Sequence, residues 1–109
     1  MIEKQIIKLL LNKKFYTRYK GNISRSVFEG NFGSLYDTIQ KAHEKYDKDI
    51  TISELYSLHT SVYNPSLTRA SKEQFSKLLE DIKQTEEPSE SIANDIVKIM
   101  HDREIARQI

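Results

Sequence analysis

A chain of 109 residues, 38% hydrophobic and 30% charged, has the length and balance of a single globular domain. The net charge of +1 draws the molecule as a whole to no polyanion, and the absence of cysteine excludes disulfides and thiolate chemistry and fits a reducing cytoplasm. Leu9-Leu10-Leu11 is the longest aliphatic run, far below the ~20 residues of a membrane span, and Met1-Ile2-Glu3-Lys4 is no signal peptide, so a cytoplasmic protein without a membrane partner is expected.

Three Gly and two Pro are few breaks, which favours helices over a hairpin-rich sheet. The first predicted helix runs from about Ile2 to Lys13, with Ile2, Ile6, Leu9 and Leu10 on one face and Lys4, Lys8 and Asn12 opposite. Lys13 and Lys14 then suit the negative end of its dipole. Phe15, Tyr16 and Tyr19 read as part of a connector ending at Gly21-Asn22, and Val27-Phe28 as an apolar plug within a short turn.

A second helix is predicted from about Phe32 to Tyr46, where Phe32, Leu35, Tyr36, Ile39, Ala42, His43 and Tyr46 recur at three and four, with Asn31 or Ser34 as its cap. The stretch "TISEL" has the form of a capping box, Thr51 to Glu54, opening a third helix that carries Ile52, Leu55, Leu58 and Val62 and stops at Asn64-Pro65. Ser71 and Gln74 suggest a second capping box before a helix with Phe75, Leu78, Leu79 and Ile82. The last helix opens near Ser89 and has Ile92, Ile96, Ile99 and Met100, with Ala93, Val97, Ile105, Ala106 and Ile109 on adjoining stripes. The expected fold is therefore all-α, a bundle of about five helices with short connections.

No catalytic constellation is present. His43, His59 and His101 fall on three predicted helices without metal-ligand spacing, so no metal is expected. There is no G-x-x-x-x-G-K-[ST] loop, and the segment is expected to have no ATPase activity and no cofactor of its own. Charge is unevenly distributed: residues 1–30 hold seven Lys/Arg against two Glu, and residues 31–109 hold ten Lys/Arg against fourteen Asp/Glu. The basic excess lies in "KKFYTRYKGN", where aromatics that stack on bases alternate with cations that hold phosphates. Lys13, Lys14, Arg18 and Lys20 are therefore candidate contacts to single-stranded DNA, the alternative being that Phe15 and Tyr19 pack inward and the lysines are merely hydrated.

The order of these elements resembles the N-terminal domain of the DnaB-type replicative helicases of bacteria and their phages. The resemblance spans nearly the whole chain and rests on packing patterns. These are a first helix with Glu3, Ile6, Ile7 and Leu10, the pair Phe15-Tyr16, the site Val27-Phe28-Glu29, and the helix with Leu35-Tyr36 and Ile39. "KDITISEL", "FSKLLEDI" and "IANDIVKIMHDREIARQI" follow. Two departures, the missing polar extension before the first helix and "NPSLTRASKE" in place of a Gly-Gly turn, point to a diverged, phage-like member.

The resemblance implies that the last, long helix opens a helical hairpin truncated at Ile109. A parent chain is then expected to continue through the hairpin and a linker to an ATPase that uses ATP and Mg²⁺. It further implies a non-catalytic role: forming the collar of a hexameric ring by self-association, and binding a primase or a helicase loader. Ile99, Arg103, Ile105 and Ile109 are the expected partner-binding residues, with Ile92, Ile96 and Ile99 packing on the domain itself and Ile105 and Ile109 projecting outward. Two alternatives remain open: the helicase-binding C-terminal domain of a primase, and a small phage nucleic-acid-binding or regulatory helical protein.

Overall fold

Among the described residues the chain forms six α-helices and no strand: α1 Ile2–Leu10, α2 Lys13–Tyr19, α3 Asn31–Lys45, α4 Ile52–Ser57, α5 Arg69–Gln84 and α6 Glu90–Gln108. A 3-10 turn, Arg25–Val27, precedes α3, and a π-helical segment, Leu58–Tyr63, continues α4. The computed structural model describes the backbone of residues 2–108 and the side chains of residues 3–89 and 91–102. The all-α bundle expected from the periodicity is the fold observed.

Helix α1 lies at its centre and packs on α2, α3, α5 and α6. Its apolar residues therefore cover more than one face: Ile6, Ile7 and Leu10 are fully buried, and Leu9 and Leu11 nearly so. Val27 and Phe28 plug the core as expected, and Phe28 lies against Tyr36 with ring centroids 4.9 Å apart. The Tyr36 hydroxyl donates to the Ile23 carbonyl at 3.1 Å.

The carbonyls left without intrahelical partners at helix C-termini are satisfied by side chains from other helices. Lys8 Nζ donates to the carbonyls of Lys83, at 3.1 Å, and Thr85, at 2.5 Å, closing α5. Lys13 Nζ donates to the carbonyls of His43 and Tyr46 and so closes α3. His43 Nε2 donates to the Leu10 carbonyl at 2.6 Å, closing α1. Each bond ties α1 or the start of α2 to a helix far away in sequence. The cation of Lys13 thus serves the α3 dipole, where the sequence had suggested the end of the first helix.

Four local expectations are corrected. The stretch around Phe15, Tyr16 and Tyr19 is the helix α2 and no connector, because the Asn12 side chain accepts from Phe15 N at 2.9 Å and restarts the helical course. Gly30, at φ 55° and ψ −127°, stands at the α3 N-cap where Asn31 or Ser34 was expected, and only glycine takes that backbone conformation without strain. Thr68 caps α5, accepting from Ser71 N at 3.1 Å, so Ser71 is inside the helix. Val62 faces solvent at 55% exposure. The π-turn accounts for this: its wider i→i+5 ring, closed by Asn64 N to the His59 carbonyl at 3.1 Å, rotates His59 and Thr60 inward in place of Val62.

The Thr51 capping box forms as read, with Glu54 N to Thr51 Oγ1 at 3.1 Å and Thr51 N to Glu54 Oε1 at 3.0 Å. Thr51→Ala removes one half of the box and is expected to destabilise the domain by about 1 kcal/mol. Thermal melting should show a drop of about 4 °C.

Candidate functional site

Two surfaces carry the residues singled out by sequence. The first is a cleft of about 340 Å³ between α2 and the connection from α5 to α6. Helix α2 supplies one wall. Its seven residues place Lys14 and Arg18 four apart, and Phe15 and Tyr19 four apart, so both pairs line the opening. The Phe15 and Tyr19 rings are 4.6 Å apart and tilted by 47°, and the Arg18 guanidinium sits 5.5 Å from the Tyr19 ring centre. Glu87, Pro88 and Ala93 line the cleft from the other side, and Leu9 and Asn12 from the end of α1 and the turn after it.

Of the four proposed phosphate contacts, Lys14 and Arg18 reach this cleft. Lys13 does not: its ammonium closes α3 and its backbone N–H donates to Asp49 Oδ1 at 2.8 Å. Lys20 is exposed at the C-cap of α2, outside the cleft lining. Neither aromatic is simply interior. Phe15 and Tyr19 pack against the core on one side and line the cleft on the other.

The second surface is the outer side of α6. Ala93, Ile96, Val97 and Met100 are buried against the domain, while Ile92 is 55% and Ile99 44% exposed. The expected inward set of Ile92, Ile96 and Ile99 is therefore corrected at Ile92 and Ile99 and holds at Ile96. The helix presents the stripe of Ala93, Val97 and Met100 to α1 and to the 3-10 turn, and Ile96 lies at its edge. Ile92 and Ile99, seven residues apart, share a side. The side chains of Arg103 and Ile105, and all of Ile109, lie outside the described residues.

Comparison with known protein families, curated proteins and solved structures finds no match. Among the described residues no group of three or more His, Cys, Asp or Glu side chains is placed to hold a metal ion. No helix among them is long and apolar enough to cross a membrane.

Perturbed titratable groups are found in the interior, away from both surfaces. Burial pushes the imidazoles of His43 and His59 down, and burial pushes the Tyr36 hydroxyl up to about 12, with smaller contributions from Tyr16 and Asp37. At the surface, the Lys48 ammonium and the two Thr51 bonds pull the Glu54 carboxyl down to about 2, which stabilises the cap and builds no site.

Sequence reasoning missed the far wall of the cleft. Glu87 and Pro88 read as the stop signal of one helix, and nothing local indicates that they face α2. Asn12 was legible as a cap residue followed by an i, i+4 aromatic pair, the signal that identifies α2.

Proposed function

We propose that this chain is a non-catalytic protein-interaction domain of the kind that forms the collar of DnaB-type replicative helicases. It docks neighbouring subunits, and a primase or loader, through α6. The order and packing pattern of the helices support the reading, and one observation carries it: the apolar pair Ile92 and Ile99 is exposed on a helix that buries Ala93, Val97 and Met100 on another side. Two large aliphatic side chains aligned one heptad apart are the repeat by which helices pair. Apolar surface held out on a folded domain marks an interface. Ile105 and Ile109, whose side chains lie outside the described residues, are assigned to the proposed interface by the resemblance alone. In the parent, this domain organises the ring while a separate ATPase unwinds duplex DNA.

The test is the association state of the chain lengthened through the second helix of the proposed hairpin. Sedimentation equilibrium is expected to show concentration-dependent association. Ile92→Asp with Ile99→Asp is expected to remove that association while leaving the unfolding free energy within about 0.5 kcal/mol, as for other exposed positions. A lengthened chain that stays monomeric at high concentration refutes the reading. So does association that persists undiminished in the double variant.

A further inference from the structure

The cleft beside α2 has opposite charges on its two walls, and this restricts what fits it. Cationic Lys14 and Arg18 stand on the α2 wall with the rings of Phe15 and Tyr19, and the Glu87 carboxylate and Pro88 stand across from them. An acidic peptide satisfies the first wall and is repelled by the second, where Glu86 adds a further exposed carboxylate. A nucleotide has the matching polarity. Its phosphate is anionic, its base has a π-face, and the edges of adenine, cytosine and guanine carry amino N–H donors that a carboxylate accepts.

We infer that this cleft takes one unstacked base of a single-stranded nucleic acid. The base lies against Phe15 and Tyr19, the flanking phosphates are held by Lys14 and Arg18, and Glu87 accepts from the amino group of the base. The rings suit the task because they are fixed from behind by the core and open toward the cleft. Glu87 supplies a preference that a purely basic groove lacks: thymine and uracil have no exocyclic amine and present carbonyl oxygens to the carboxylate. The site is separate from the outer side of α6, so it stands or falls independently of the interface proposed there.

Fluorescence anisotropy with short labelled homopolymers tests this on the unmodified chain at low salt. Binding of oligo-dC or oligo-dA is expected, about tenfold tighter than oligo-dT, with amide shifts in NMR spectra confined to α2, residues 86–88 and the start of α6. Lys14→Gln with Arg18→Gln is expected to lower the magnitude of the logarithmic salt slope by about 1.4, the value for two phosphate contacts to a single strand. Glu87→Gln should leave that slope intact and abolish the preference for amine-bearing bases. Phe15→Leu keeps the apolar packing and removes a π-face, and is expected to weaken binding about tenfold. The inference is overturned if no oligonucleotide binds at low salt, if the salt slope is indifferent to Lys14 and Arg18, or if base preference survives Glu87→Gln. Shifts at the cleft produced by an acidic, leucine-containing peptide and by no oligonucleotide would assign the cleft to a protein partner instead.

Discussion

Acidification below the ordinary histidine pKa of about 6.5 is expected to destabilise this domain steeply, because two buried imidazoles stay neutral only while it is folded. His43 and His59 are 3% and 1% exposed. His43 Nε2 donates to the Leu10 carbonyl, so its buried Nδ1 is the basic nitrogen, and it has no hydrogen-bond partner among the described residues. A proton there would be a donor without an acceptor. At His59, the Asn64 amide nitrogen donates to the His59 carbonyl at 3.0 Å and points to Nδ1 at 3.3 Å. The Thr38 hydroxyl lies 2.7 Å from Nδ1, and the buried Nε2 has no hydrogen-bond partner among the described residues, so a ring protonated on both nitrogens has a donor without an acceptor.

Burial lowers both pKa values; at His43 the Leu10 bond opposes it, the Lys13 ammonium adds to it, and Asp49 opposes it. The sign follows directly. A histidine whose folded pKa is depressed binds fewer protons folded than unfolded, so its contribution is complete above about pH 6.5 and is lost as the pH falls from there toward the folded value. Within that window each histidine contributes a slope of up to about 1.4 kcal/mol per pH unit. Glu54, held down to about 2, loses its contribution only below the ordinary carboxylate range, so the two effects separate in pH. Urea unfolding at a series of pH values checks this. A free energy that is flat between about pH 7 and 5 would remove the claim.

Truncating Phe75 to alanine is expected to cost about 3–5 kcal/mol, a large part of the ~5–15 kcal/mol that holds a domain together. Phe75 is 4% exposed and meets the His59 ring edge-on, with centroids 4.2 Å apart, so it joins α5 to the π-turn after α4. Its removal leaves a cavity at a junction that the short α4 cannot collapse to fill. It also admits water to His59, and the acid slope should become shallower by the share of one histidine. Leu78→Ala, at a half-buried position on the same helix, is expected to cost clearly less and to leave the acid slope unchanged. Equal losses for the two variants in urea titration would contradict this account.

Much of the local structure could be read from residues within one helical turn of each other. The Thr51 box, the stop at Asn64-Pro65, the Val27-Phe28 plug and the apolar stripes of α3 and α5 all follow from capping, backbone restriction and 3.6-residue spacing. These act over three or four residues and depend little on what lies beyond them. The all-α fold follows from their sum.

Contacts far apart in sequence decided the rest. Lys13 looked like a cation available to a phosphate, and it closes α3 because that helix ends beside it. Ile92, Ile96 and Ile99 are nearly equivalent in sequence, and α1 and the 3-10 turn select Ala93, Val97 and Met100 for the interior, with only Ile96 of the three buried. His59 is interior because a π-turn shifts the register within one short helix, and Glu87 becomes a cleft wall because α1 brings α2 against the α5–α6 connection. Periodicity says that a face exists and how wide it is. Which way that face turns is decided by what packs beside it, since burial free energy belongs to the pair of surfaces that exclude water and to neither sequence segment alone.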